Sequence, residues 1–245
     1  MLPILYQSPD LVLYSYPLLM GLGWGVAYQV YFSLLDPASS KIKAQLLFWG
    51  IFLSAWIGAK ILFYLTYPDD MGAGFLQQIS FWTGGGFVFY GGFLGALLFL
   101  GMFKAFDNKL SIDSIWPMLP ALAFGHGLGR IGCFLAGCCF GKPTEFFWGV
   151  FLHDHYRHPT QLIEACGLLF LGTYLYKSKQ PRKILVADYL VVYGSLRLLV
   201  EALRGDIVRG TWGVLTPSQW ISLALILCGF TMILFKKFKP LDVVK

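Results

Sequence analysis

The chain has 245 residues, 57% of them hydrophobic, 18% aromatic and only 13% charged, with a mean hydropathy of +0.64. Soluble domains carry about a quarter charged residues, so this composition excludes an ordinary soluble globule and predicts a polytopic inner-membrane protein. The net charge of +6 does not indicate nucleic acid as a partner, because the charges sit in loops between apolar stretches.

Seven apolar segments follow one another along the chain, at 16–35, 46–67, 86–106, 115–137, 160–176, 184–203 and 218–235. Each is near the ~20 residues that cross a hydrocarbon core; the fifth is short, and fits a less tilted or partly interfacial helix. No basic residue precedes the first segment and Asp10 does, so a cleaved signal peptide is not expected. The expected fold class is an all-α membrane protein of about seven transmembrane helices, a single domain over 1–245. Residues 137–159, with Trp148, Val150, Phe151, His153, His155 and His158, are expected to form a small extracytoplasmic cap, and 204–217 a second outer loop.

The orientation is read from the loops. One set holds Lys41, Lys43, Lys104, Lys109, Lys177, Lys179, Arg182, Lys183, Lys236, Lys237, Lys239 and Lys245; the other holds Lys142, Arg157, Arg204 and Arg209. Twelve against four makes the first set cytoplasmic, which puts the N-terminus outside and the C-terminus inside.

Polar residues interrupt the apolar segments in four places. Arg130 in the fourth segment is costly at membrane depth and should face a protein interior or watery cavity. His126, Arg130, Cys133 and Gly137 share its stripe; His126 fits either a site or a hydrogen bond to a neighbouring helix. Pro117 and Pro120 are expected to be able to kink this helix. In the sixth segment Tyr193, Arg197, Glu201 and Arg204 fall within about 80° of one helix face. That face suits an anion site, two guanidiniums gripping a phosphate, or a structural Glu–Arg pair.

The third segment is glycine-rich, with Gly84, Gly85, Gly86, Gly91, Gly92 and Gly95. Close helix packing explains the glycines. Tyr90 among them is positioned to hydrogen-bond a lipid oxygen or assist proton transfer. In the run RHPTQLIEA from Arg157, Thr160 is expected to cap the next helix and Glu164 to suit its dipole. Capping leaves His158 and Gln161 unexplained. Cys166 and Cys228 are expected to be small apolar fillers. Cys133, Cys138 and Cys139 fit a disulfide or redox pair, plain structural thiols, or, with the nearby histidines, a metal; their spacing matches no standard zinc pattern, and no metal or cofactor is expected.

Five stretches in order resemble the prolipoprotein diacylglyceryl transferase family of bacteria: GGGFVFYGGFLGA from Gly84, GLGRIGCFLAG from Gly127, RHPTQLIEA from Arg157, YGSLRLLVEALRGD from Tyr193 and TPSQW from Thr216. The resemblance covers most of the chain. It implies a multi-pass enzyme of the bacterial inner membrane that moves a diacylglyceryl group from phosphatidylglycerol to a cysteine thiol. The acceptor is the lipobox cysteine in the signal peptide of a prolipoprotein. The implied partners are phosphatidylglycerol, that signal peptide and membrane lipids, with no cofactor. It also implies that Arg130 and Arg197 are essential, with Glu201 and Arg204 in support. Tyr90 stands where members carry a catalytic histidine or tyrosine, and Tyr16 resembles a functional tyrosine of the first span. The expected catalytic set is therefore Tyr90, Arg130, Arg197 and Glu201. The expected substrate-binding set is Tyr16, Gly91, Gly92, His126, Cys133, Cys138, Cys139, His158, Gln161, Glu164, Tyr193 and Arg204.

The chain departs from the family signature at Cys133, Ala136 and Cys138, where asparagine, asparagine and glutamate are usual. The alternative reading is a divergent paralogue, either a thiol-dependent membrane oxidoreductase or a lipid-modifying enzyme with another acceptor. A non-catalytic lipid binder or transporter on the same scaffold is a third.

Overall fold

The structure is a computed structural model that describes residues 2–8, 12–66, 81–82, 87–107, 115–205 and 212–238. Asp10, Gly84, Gly85, Gly86, Lys109, Arg209, Lys239 and Lys245, singled out above, and residue 67 at the end of the second segment, lie outside the described residues.

Seven helices appear among the described residues: α1 (Ser15–Ser33), α2 (Lys41–Thr66), α3 (Phe89–Phe106), α4 (Met118–Ala136), α5 (Thr160–Lys177), α6 (Arg182–Leu203) and α7 (Pro217–Phe238). Each falls on one of the seven apolar segments. Three stretches, Lys41–Thr66, Met118–Ala136 and Pro217–Phe235, are long and apolar enough to cross a membrane. Large apolar side chains stand exposed along the helices, among them Leu98, Phe106, Phe170 and Leu227. Such surfaces suit lipid as the solvent.

Two short hairpins accompany the helices. Strand β1 (Ile4–Gln7) pairs antiparallel with β2 (Val12–Tyr14), just before α1. Strand β3 (Val150–Leu152) pairs antiparallel with β4 (His155–Arg157) inside the expected cap segment. The β3–β4 turn has two residues, His153 at φ 48° and Asp154 at φ 64°. Positive φ at both positions is what a two-residue turn matched to strand twist requires.

The described residues fall into two compact units, 1–35 with 115–245, and 36–114. In the first, α1 packs on α4, α4 on α5, α5 on α6 and α6 on α7. Its apolar core gathers Trp116, Ala123, Leu168, Leu171, Leu175, Leu185 and Tyr189. The two prolines of the fourth segment do not kink it. Pro117 is the N-cap of α4 and Pro120 lies in its first turn, where the backbone N–H has no helical partner to lose. In the second unit α2 packs on α3 so closely that a Cβ on Gly91 would overlap the Gly58 carbonyl oxygen, and one on Gly95 the Ser54 carbonyl oxygen. The second unit also buries Lys60, whose Nζ donates to the Phe81 carbonyl at 2.6 Å and lies 4.1 Å from the Phe87 ring centre.

Candidate active site

The site is built on three consecutive helices of the first unit, and its centre is the Glu164 carboxylate. Glu164 is the fifth residue of α5 and turns inward, with 1% of its surface exposed. Arg130 of α4 donates to Glu164 Oε2 from Nε at 2.7 Å and also from Nη2. Arg197 of α6 brings Nη1 to 3.5 Å from the same oxygen. Arg197 Nη2 also donates to Glu201 Oε2 at 2.6 Å, one turn further along α6. His126 Nε2 lies 3.7 Å from Glu164 Oε1. Arg130 and Arg197 thus meet on one buried carboxylate, that of Glu164.

Two guanidiniums and two carboxylates are formally neutral together, which lowers the cost of burying them. Donors nevertheless remain. Arg197 Nη1 is buried with no hydrogen-bond partner among the described residues. A buried donor left open is costly unless something binds it. The pair of arginines, fixed by acids behind them, can offer planar forks to a phosphate.

The surrounding candidates divide by what they touch. Tyr193 sets its ring edge against His126, 5.9 Å between centres, and stacks on Tyr189 at 5.7 Å. Tyr16 of α1 packs against Gly132, where a Cβ would lie 3.3 Å from the tyrosine ring. Arg204 is buried at the end of α6, where residues 140–142 dock: Lys142 N donates to the Leu203 carbonyl at 2.8 Å and Gly205 N to the Phe140 carbonyl at 3.2 Å.

His158 and Gln161 find structural partners. His158 Nδ1 accepts from Trp148 Nε1 at 3.0 Å, and Gln161 Nε2 donates to the Cys138 carbonyl at 2.6 Å. Thr160 does not cap α5. The N-cap is Pro159, and Thr160 Oγ1 donates instead to the Cys139 carbonyl at 2.9 Å. Glu164 lies outside the first turn and serves Arg130 rather than the helix dipole.

Gly91 and Gly92, together with Tyr90, belong to the second unit. Both glycines face α2, Gly92 with a would-be Cβ 3.1 Å from the Ala55 carbonyl oxygen, so helix packing accounts for them. Cys166 and Cys228 are exposed on their helices and fill no core space, contrary to expectation.

The three remaining cysteines gather where α4 ends. Gly137, at φ 80°, closes the helix: its N–H reaches the Phe134 carbonyl and the next N–H, of Cys138, the Cys133 carbonyl, both at 3.1 Å. This double closure brings the second residue past the helix beside the fourth from its end. Cys138 therefore returns to Cys133, and Cys139, at φ 62°, turns its thiol to the same point. The Cys138 thiol donates to the Cys133 carbonyl at 3.6 Å, and the neighbouring Cys133 and Cys138 thiols, helped by the Arg130 and Arg204 charges, lower the pKa of the Cys139 thiol.

Thr216 was not among the sequence candidates. Its Oγ1 donates to Glu201 Oε1 at 3.0 Å, completing that carboxylate's shell. Its backbone N–H donates to Gln219 Oε1 at 2.9 Å, and Gln219 N donates to Thr216 Oγ1 at 3.3 Å. This reciprocal pattern is legible in the sequence as Thr-Pro-Ser-Gln before an apolar run.

Residues 3–235 match the family described as prolipoprotein diacylglyceryl transferase. The phosphatidylglycerol–prolipoprotein diacylglyceryl transferase of Clostridium tetani (strain Massachusetts / E88) is 31% identical, over 98% of this chain and 99% of its own. Its counterpart in Finegoldia magna is 29% identical over 94% and 92%, and transferase 2 of Clostridium perfringens (strain 13 / Type A) is 32% identical over 96% of each. A match that spans α1 to α7 takes in every helix that carries the arginine–carboxylate network, and the chain belongs to the prolipoprotein diacylglyceryl transferase family.

Proposed function

We propose that this protein transfers the diacylglyceryl group of phosphatidylglycerol to the thiol of a lipobox cysteine in a prolipoprotein signal peptide. The observation that carries the reading is the convergence of Arg130 and Arg197 on Glu164, with Arg197 Nη1 left open. In the reaction the cysteine thiolate attacks the glycerol carbon that bears the phosphate. A C–S bond forms, the C–O bond breaks, and glycerol phosphate leaves with the electron pair. The phosphate passes from one negative charge toward two, while the thiolate loses its own. Fixed guanidiniums beside the phosphate therefore bind the transition state more strongly than the ground state. Glu164 and Glu201 orient the two forks, and Thr216 orients Glu201. His126, 3.7 Å from Glu164 Oε1, packs its ring against Tyr193, and Tyr90 is the residue proposed to assist removal of the thiol proton.

The proposed setting is the bacterial inner membrane, crossed seven times, with the N-terminus outside and the C-terminus cytoplasmic. The whole chain acts as one transmembrane domain, with residues 137–159 as the outer cap. The twelve-to-four charge asymmetry supports this orientation. A reporter fused after Lys245 should be active only as a cytoplasmic fusion.

The reading is tested by incubating purified protein with phosphatidylglycerol and a lipobox peptide. The peptide should gain the mass of one diacylglyceryl group. The convergence of Cys133, Cys138 and Cys139 favours a second reading, a thiol-dependent enzyme with another acceptor. In that case serine at the three positions would abolish turnover, and the lipobox peptide would stay unmodified with the wild-type protein.

A further inference from the structure

The thiols of Cys133, Cys138 and Cys139 all lie within 4.8 Å of one another. Three thiols meeting at one point exceed what a disulfide uses, and a tetrahedral zinc ion with Zn–S bonds of ~2.3 Å asks for sulfurs about 3.8 Å apart. The closure needed is about an ångström, within reach of small side-chain rotations.

The turn that assembles the trio is fixed from outside it. The Cys138 carbonyl accepts from Gln161 Nε2, the Cys139 carbonyl accepts from Thr160 Oγ1, and the Gly137 carbonyl lies 2.8 Å from His153 Nε2. The carbonyls of three consecutive residues are thus held by side chains from α5 and from the β3–β4 turn. Such support is what keeps metal ligands aimed. The charge also balances. Three thiolates with one divalent cation leave a single negative charge, and Cys139 lies within electrostatic reach of Arg130 and Arg204. Cys133 is buried whereas Cys138 is exposed, so a fourth coordination position would open toward the exposed side.

We propose that Cys133, Cys138 and Cys139 form a three-thiolate site for one zinc ion, which fixes the turn that closes α4. Two of its three ligands, Cys133 and Cys138, stand where this chain departs from the usual family signature. Its role is to fix the turn whose Cys138 and Cys139 carbonyls accept from Gln161 and Thr160 of α5, and it does not depend on which acceptor the enzyme uses. Binding releases the thiol protons to solvent and involves no change of oxidation state.

The unusual spacing, with four residues between the first two cysteines and none between the second pair, escapes standard zinc patterns because the ligands come from a helix end rather than from a loop. The helix-closing glycine supplies the proximity that spacing would otherwise supply.

The test uses the full chain, purified in detergent without oxygen. Zinc content should be one per chain in the wild type and in a Cys166→Ser/Cys228→Ser control, and should fall at least tenfold in the triple Cys133→Ser/Cys138→Ser/Cys139→Ser variant. Cobalt added to metal-free wild-type protein should give thiolate-to-metal charge-transfer absorption and the visible bands of a tetrahedral ion. Zinc should raise the melting temperature of the wild type and leave that of the triple variant unchanged. A wild type that gives no thiolate–cobalt absorption overturns the proposal, as does zinc retained equally by the triple variant. The cobalt spectrum needs no substitution, so a variant that fails to fold does not shield the proposal.

Discussion

The α2–α3 contact and the α4–α5–α6 contact solve the same problem by opposite means. In lipid, burying apolar side chains gives helices little reason to associate, so packing and polar bonds must do it. Helices α2 and α3 use absence: with no Cβ on Gly58, Gly91 or Gly95, the backbones touch. Helices α4, α5 and α6 use charge, with Arg130 and Arg197 closing on Glu164. The first contact is nearly indifferent to chemistry and intolerant of volume. The second tolerates little change in charge, and it alone leaves a buried donor, Arg197 Nη1, open. The difference separates a packing interface from a site.

Substitutions at the two contacts should therefore fail in different ways. The largest effect is expected at the arginines. Arg130→Ala or Arg197→Ala should lower the transfer rate by about 10³-fold or more, since each removes a donor to the developing charge and strands a buried carboxylate. Lysine at either position should recover little, because a point charge does not reproduce the planar fork. Rates with phosphatidylglycerol and a lipobox peptide measure both.

Next comes the ranking of the acids. Glu164 serves both arginines and Glu201 serves one, so Glu164→Gln should cost about 10²-fold and Glu201→Gln about tenfold, on the scale of charged hydrogen bonds. Equal losses would mean that the shared carboxylate is not the organising group.

At the glycine contact, Gly58→Ala should destabilise the protein by about 1–3 kcal/mol through overpacking, seen as a lower melting temperature in detergent. Transfer per folded molecule should stay within about threefold, the size of effect expected when a change does not touch the developing charge. A large loss of rate with unchanged stability would erase the distinction between the two contacts. The smallest effect should be Thr216→Val, which removes one hydrogen bond to Glu201 worth about 1 kcal/mol and should slow transfer by about fivefold.

The helices were legible because each is an apolar run, and the ends differ from the sequence expectation by a few residues. The start of α2 differs most, at Lys41 rather than residue 46, because a helix continues past the apolar stretch into polar residues that it can carry at the membrane edge. The β1–β2 hairpin was not legible: three- and four-residue strands carry too little alternation to register. Arg130, Arg197 and Glu201 could be picked out because a charge inside an apolar run is an anomaly. Glu164 was ambiguous, since four residues into a helix an acid serves the dipole or an inward partner equally well on spacing alone. Only the third dimension shows Arg130 opposite. The three cysteines were legible as a group, whereas the turn after Gly137 that brings them together is not written in their spacing.

The most direct test of the central claim is the mass of a lipobox peptide after incubation with phosphatidylglycerol vesicles and either wild-type protein or Arg197→Ala. The account predicts a gain of one diacylglyceryl group with the wild type and an unchanged mass with the variant. An unmodified peptide with the wild type, or an equal gain with both, would contradict it.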